Sequence, residues 1–217
     1  MPNKQSQIMI QSDFDGTLTV GDVSFQILDE FTGTSWRTLL DDYMQGKMSV
    51  NRFNSAVFSR VKTDREILDR FVRENAVIRP GFIELLDVCR ERNFRFFIVS
   101  NGMTFYIDNI LKMMGVQNIE FAAAHAIFRP EGVESWYEGP DGQKVEEGFK
   151  ESYTGRFIQE GYRVVYLGNG ESDFAPASMC SHIFSIDNLT KCCQRAGVAH
   201  TPFIDLHDIA RGLKLLS

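Results

Sequence analysis

The run Gln7-Ile8-Met9-Ile10-Gln11-Ser12 ends directly in Asp13-Phe14-Asp15-Gly16-Thr17. A short β-favouring stretch of this kind reads as a buried strand, and a buried strand belongs in a sheet that helices cover. The carboxylates then sit at the strand's C-terminal tip, where open α/β sheets bind ligands. Asp13 and Asp15 alternate with Phe14, so in an extended chain they share one side. Two carboxylates so close in a dry cleft need a cation or a shared proton. A hard divalent ion with oxygen ligands, Mg²⁺, resolves the repulsion most simply. By itself, the same pentapeptide also fits a strand followed by an ordinary Asp-Gly turn.

Beyond this strand, Val20 to Ile78 places apolar residues at helical spacing: Phe25, Leu28 and Phe31; Phe53, Val57 and Val61; Ile67, Leu68, Phe71 and Val72. Breaks at Thr32-Gly33-Thr34, Gly46 and Thr63-Asp64 divide the block into about four helices, and Arg79-Pro80-Gly81 closes it. From Phe82 helices alternate with strands. Helices are expected at 82–92, 104–114, 149–160, 174–179 and 206–216. Strands are expected at 94–100, 119–124, 163–167 and 182–186, with a β-hairpin within 128–148. The pattern predicts an α/β fold: a Rossmann-like, mostly parallel sheet with helices on both faces. An α/β core of 1–19 and 80–217 would carry an inserted helical cap, 20–79.

With 217 residues the chain is long enough for one sizeable core and an insert. A formal charge of −6 without any Lys/Arg run argues against a nucleic-acid surface. Met1-Pro2-Asn3-Lys4-Gln5 shows no signal pattern and no apolar run is long enough to span a bilayer, so a cytoplasmic location is expected. Cys89, Cys180, Cys192 and Cys193 follow no metal-ligand spacing, and the four histidines are scattered.

Three further segments fall at expected strand tips or beside them. Ser100-Asn101-Gly102 follows the strand ending at Val99, where a hydroxyl and backbone N–H groups can seat an anion. Lys150 lies on the helix before the next strand. Gly168-Asn169-Gly170-Glu171-Ser172-Asp173 follows that strand. Singly these read as a turn, a solvated lysine and an acidic helix cap. The ordered set Asp-x-Asp-Gly-Thr, Ser, Lys and Gly-Asn-Gly-x-x-Asp resembles the haloacid dehalogenase superfamily in its phosphatase branch. The likeness covers nearly the whole chain. Within that branch the chain is similar to the phosphoserine phosphatases and, more finely, to the methionine-salvage 2-hydroxy-3-keto-5-methylthiopentenyl-1-phosphate phosphatases. The finer likeness rests on Asp22, Ile78-Arg79-Pro80-Gly81-Phe82, Phe97 to Met103, His125-Ala126-Ile127-Phe128 and the Lys150-to-Asn169 spacing.

The resemblance implies hydrolysis of a small phosphomonoester through an aspartyl-phosphate. Asp13 would be the nucleophile and Asp15 the general acid and base. Ser100, Asn101 and Lys150 would bind the phosphoryl group. Asp13, Asp15, Asn169 and Asp173 would hold Mg²⁺, and Asp22 would contact substrate. Asn169 stands where these phosphatases usually carry an aspartate, which implies weaker Mg²⁺ binding or reliance on Asp173 and Glu171. A phospho-ligand binding protein with impaired turnover is therefore a second reading. Phosphoserine or another amino-alcohol phosphate is an alternative substrate. Ser55 falls where phosphoserine phosphatases have an arginine, with Arg52 and Arg60 a turn away. Trp36, Phe53 and Phe58 either line a leaving-group pocket or pack the cap.

Overall fold

A computed structural model describes residues 7–216, so Met1 to Gln5, read above for a signal pattern, lie outside the described residues. The chain forms two compact units. One comprises the segment ending at Gly21, Val77–Val99 and everything from Lys150; the other comprises Asp22–Ala76 and Ser100–Phe149. The helical block of the second unit thus groups with 100–149, a segment the sequence reading places in the α/β core.

Elements are numbered in chain order. In the first unit the strands are β1 (Ile8–Ser12), β2 (Arg95–Met103, which runs on into the second unit), β6 (Arg163–Gly168), β7 (His182–Ser185) and β8 (Thr201–Pro202). They lie in the order β2-β1-β6-β7-β8, and every pairing is parallel. All five residues of β1 are buried, as its central place requires. Its register sets Ser12 opposite Ile98 on β2 and opposite Leu167 on β6. The loops after β1 and β6 therefore leave the sheet side by side. Helices α5 (Phe82–Glu91), α7 (Phe149–Gln159), α8 (Phe174–Ala177), α9 (Asp187–Ala196) and α10 (Leu206–Lys214) alternate with these strands along the chain. Tyr166, Ile183, Leu189, Cys193 and Ala177 make one apolar cluster of this core.

The second unit holds α1 (Val23–Thr32), α2 (Arg37–Met44), α3 (Val50–Phe58), α4 (Arg65–Asn75) and α6 (Thr104–Met113). It also holds β3 (Glu120–Arg129), β4 (Gly132–Glu138) and β5 (Lys144–Val145), which pair antiparallel in the order β5-β4-β3, with β3 next to β2. Together they give a mostly parallel, eight-stranded α/β sheet. Asp22 caps α1, its Oδ1 accepting from Phe25 N at 3.0 Å, and Ser49 caps α3. Trp36, Phe53 and Phe58 are buried: Trp36 lies 4.8 Å from Phe25 and 6.4 Å from Phe53, ring centre to ring centre. These aromatics pack the unit's interior, which is the structural one of their two sequence readings.

Two differences from expectation have simple causes. β2 continues three residues past Ser100, because Asn101-Gly102-Met103 stays extended until α6 starts at Thr104. Helix α9 falls in a stretch left unassigned by sequence, although Leu189, Cys192 and Cys193 mark its buried stripe at helical spacing. Among the described residues, no helix is long and apolar enough to cross a membrane.

Candidate active site

Asp13 is the first residue past β1, and its N–H donates to Leu167 O at 2.9 Å, extending the β1–β6 ladder by one step. The chain then folds into a turn closed on Phe14 O, which accepts from Leu18 N at 2.9 Å. Gly16 sits at φ +72, a left-handed conformation that disfavours a side chain. A Cβ there would also lie 2.2 Å from Asn169 Nδ2. The loop after β6 thus packs its asparagine onto the glycine of the loop after β1. Thr17 Oγ1 donates to Asn169 Oδ1 at 3.1 Å, joining the same two loops.

Lys150, in the first turn of α7, is 2 % exposed. Its ammonium reaches Asp13 Oδ1 at 2.8 Å and Asp173 Oδ1 at 2.7 Å. The backbone at this position is tied to β1: Gln11 Nε2 donates to Lys150 O at 3.3 Å, and Thr154 Oγ1 donates to Gln11 Oε1 at 2.8 Å. Burial alone would lower the lysine's pKa, but the two carboxylates outweigh it and hold Lys150 above the ordinary lysine value. It is a permanent cation.

Asp173 is fully buried. Its Oδ1 accepts from Lys150 and from the Tyr166 hydroxyl at 2.8 Å; its Oδ2 accepts from Asn169 N at 3.0 Å and Gly170 N at 2.9 Å. With both oxygens twice engaged, Asp173 holds the lysine and shapes the Asn169-Gly170 turn. Its expected place among the Mg²⁺ ligands competes with these four bonds. Glu171 turns toward Arg195, 3.8 Å away. Tyr166 is pushed well above the ordinary tyrosine range by burial and by Asp173, so it keeps the proton it donates.

Burial and the charge of Asp173 push the Asp13 carboxyl up to about 7, against the pull of Lys150. Asp13, Asp15 and Asp173 are all at least nine-tenths buried, and Lys150 is the buried ammonium paired with Asp13 and Asp173. Three carboxylates against one ammonium leave a deficit of positive charge. Oxygen donors from Asp13, Asp15 and Asn169 on adjacent loops fit a hard divalent cation of the Mg²⁺ type. Among the described residues, no group of three or more His, Cys, Asp or Glu forms a metal cluster.

Ser100 and Asn101 lie near the end of β2 and group with the second unit, as does Asp22. Ser100 is two residues beyond Ile98, the β1 partner. Its Oγ accepts from Gly102 N at 3.0 Å, so its hydroxyl hydrogen stays available to donate. The Asn101 carbonyl accepts from Asn54 Nδ2 at 2.7 Å and from the Tyr137 hydroxyl at 2.5 Å. Its side-chain Oδ1 is buried with no hydrogen-bond partner among the described residues. Sequence reasoning missed Asn54, Tyr137, Gln11 and Tyr166, and met Thr17 only as the last residue of the Asp-x-Asp-Gly-Thr motif. Only Gln11 carried a signal, being a polar residue inside an otherwise apolar strand.

Residues 10–177 match the profile of the family described as haloacid dehalogenase-like hydrolase. A 2-hydroxy-3-keto-5-methylthiopentenyl-1-phosphate phosphatase of Bacillus velezensis is 27% identical over 210 residues, covering 95% of this chain and 89% of that protein. The protein of the same name from Geobacillus kaustophilus is 28% identical over 215 residues, covering 96% of each. A solved structure described as a phospho-aspartyl intermediate analogue of phosphoserine phosphatase superposes with a TM-score of 0.74 at 17% identity. It covers 95% of this chain and 98% of that one, a likeness of fold. The chain belongs to the haloacid dehalogenase-like hydrolase family and is one of its phosphatases.

Proposed function

We propose that this phosphatase is a cytosolic, Mg²⁺-dependent phosphomonoesterase that works through an aspartyl-phosphate on Asp13. The substrate named for its relatives, 2-hydroxy-3-keto-5-methylthiopentenyl-1-phosphate, is the first to test. The observation that carries the reading is the buried ion set in which Lys150 bridges Asp13 and Asp173. A carboxylate held against a fixed cation at a strand tip is oriented for attack and sits beside charge that offsets an incoming phosphate.

An Asp13 carboxylate oxygen forms a bond to phosphorus as the bond to the leaving oxygen breaks, and Asp15 gives that oxygen its proton. Asp15 then takes a proton from water, whose oxygen attacks phosphorus and releases Asp13 with inorganic phosphate. Ser100 donates to a phosphoryl oxygen, with Asn101 beside it, while Lys150 supplies positive charge throughout. Asp13, Asp15 and Asn169 would hold Mg²⁺, which supplies charge neutralisation on the phosphoryl oxygens. Asp173 and Tyr166 keep the lysine in place. The second unit, with α1 to α4, is assigned the choice of leaving group.

A phosphoserine substrate draws less support. Ser55 is engaged with Ser135, Arg52 is exposed, and Arg60 donates to Ser35 O at 3.2 Å. None of the three offers α3 a buried cation for a substrate carboxylate. The Asn169 amide supports the second reading, a phospho-ligand binding protein. One experiment separates the two: purified protein assayed against a panel of phosphomonoesters with Mg²⁺ and with excess chelator. Turnover that chelator abolishes is expected. Saturable binding of the esters without turnover at any Mg²⁺ concentration would favour the binding protein.

A further inference from the structure

Arg79 belongs to the Ile78–Phe82 motif, yet none of the roles above uses it. It is half-buried at the point where the chain re-enters the first unit. There the two crossing segments run side by side: Val20 N donates to Val77 O at 2.7 Å, and Arg79 N donates to Leu18 O at 2.8 Å. The guanidinium continues this contact onto the turn after Asp15. Its Nε donates to Thr17 O at 2.8 Å, and its Nη2 donates to Gly16 O at 2.7 Å and Thr19 O at 3.3 Å. Its Nη1 donates to Ile204 O at 3.1 Å, from the segment leading into α10.

These acceptors are all main-chain carbonyls, so what the side chain fixes is a backbone path. Gly16, Thr17 and Thr19 are buried, and water cannot readily replace the donors Arg79 brings. A planar guanidinium with donors in a fixed fork can serve several carbonyls at once; a lysine ammonium is a single point on a flexible stem. On its other side the turn is held by the Asn169 contact with Gly16 and the Thr17 hydroxyl bond. Asp15 is the residue directly before the clamped carbonyls.

We propose that Arg79 is the positioning residue for Asp15. By holding the carbonyls of residues 16, 17 and 19, it keeps the Asp15 carboxyl where the leaving oxygen departs. The inference rests on the reading of Asp15 as the acid that protonates this oxygen while the Asp13–phosphorus bond forms and the ester bond breaks. Loss of Arg79 then weakens proton delivery more than it weakens attack.

The test compares two esters of nearly equal size, 4-nitrophenyl phosphate and 4-nitrobenzyl phosphate. The phenolate leaves as a stable anion; the benzylic alkoxide needs a proton. The quantity read is kcat/KM, which covers the steps up to departure of the leaving group. In Arg79→Ala, kcat/KM should fall roughly a hundredfold on the benzyl ester and less than about fivefold on the aryl ester, the low end of general-acid contributions. Arg79→Lys should show the same split, smaller. Asp15→Asn should show it, larger.

Equal losses on both esters in a folded Arg79 variant, checked by circular dichroism, would overturn the proposal. So would failure of both Arg79 variants to fold, which would make the residue structural only. A split missing from Asp15→Asn, or a wild type that cleaves the aryl ester alone, would overturn the acid role of Asp15 and this proposal with it. A wild type inert on both esters, with Mg²⁺ present, would instead sink the phosphatase reading.

Discussion

Asn169 supplies a neutral amide beside a site already crowded with carboxylates, and its effect on the metal is a matter of charge. One negative charge at a few Å contributes about 4 kcal/mol of gross Coulomb attraction at an effective dielectric near 20. Desolvation cancels much of that, leaving roughly 1–2 kcal/mol, or about tenfold in Mg²⁺ affinity. Asn169→Asp should therefore lower the Mg²⁺ concentration giving half-maximal rate by about tenfold, read from activity titrations of both forms. Coincident curves would place residue 169 away from the metal. Lys150→Met should cost about 3–5 kcal/mol in urea unfolding, because it strands buried Asp13 and Asp173 without their cation. Asp13→Asn should abolish turnover and any phosphate labelling of the protein. At this scale the meeting of Lys150 with Asp13 was legible, because the two residues belong to one spaced motif set. For Asp173 the spacing is readable and the partners are not. A sequence shows that a carboxylate lies four residues beyond Asn169, and not that Tyr166, Lys150 and two N–H groups engage both its oxygens. Tyr166 itself reads as one more apolar position in β6.

Among the elements, strands and helices with strong periodicity could be read to within a few residues, and the errors fall where a second influence enters. β2 outruns its apolar stretch where the Asn101 carbonyl is held by Asn54 and Tyr137, far away in sequence. Helix α9 has its stripe of Leu189, Cys192 and Cys193, diluted by six polar or charged residues. The helical block reads correctly as four helices, but the direction of its aromatic side chains does not follow from spacing alone. Trp36 is fully buried and donates from Nε1 to Asp29 Oδ1 at 3.0 Å, and Phe53 stacks on Tyr43 at 5.5 Å. Phe53→Ala should therefore destabilise the protein by about 3–5 kcal/mol, the range for emptying an aromatic site in a packed interior. The same variant, where folded, should lower rates on different phosphomonoesters by a common factor. A changed ranking of substrates would mean that Phe53 meets the leaving group after all.

For the molecule as a whole, the charge deficit around Asp13 links stability to pH and to metal. The Asp13 carboxyl moves from an ordinary 3.8 up to about 7, because burial and Asp173 disfavour its charge. Between these values the folded protein keeps a proton that the unfolded chain has released, so the metal-free protein loses stability as pH rises from about 4 to 7. Above that window both states are ionised and the loss is complete. A displacement of this size corresponds to a few kcal/mol, or a fall of roughly 5–15 °C in Tm for a chain of this length. A divalent cation binds the ionised carboxylate, so Mg²⁺ should raise Tm little at pH 5 and substantially at pH 8, where no proton competes. Thermal melts across this range, with chelator and with Mg²⁺, would show two curves that diverge as pH rises. Asp13→Asn removes the titrating group, so its chelator curve should lose this pH-dependent fall and its Mg²⁺ response should shrink. If the variant keeps the wild-type divergence, the pH-linked metal response belongs to other residues, and Asp13 is not where proton and cation compete.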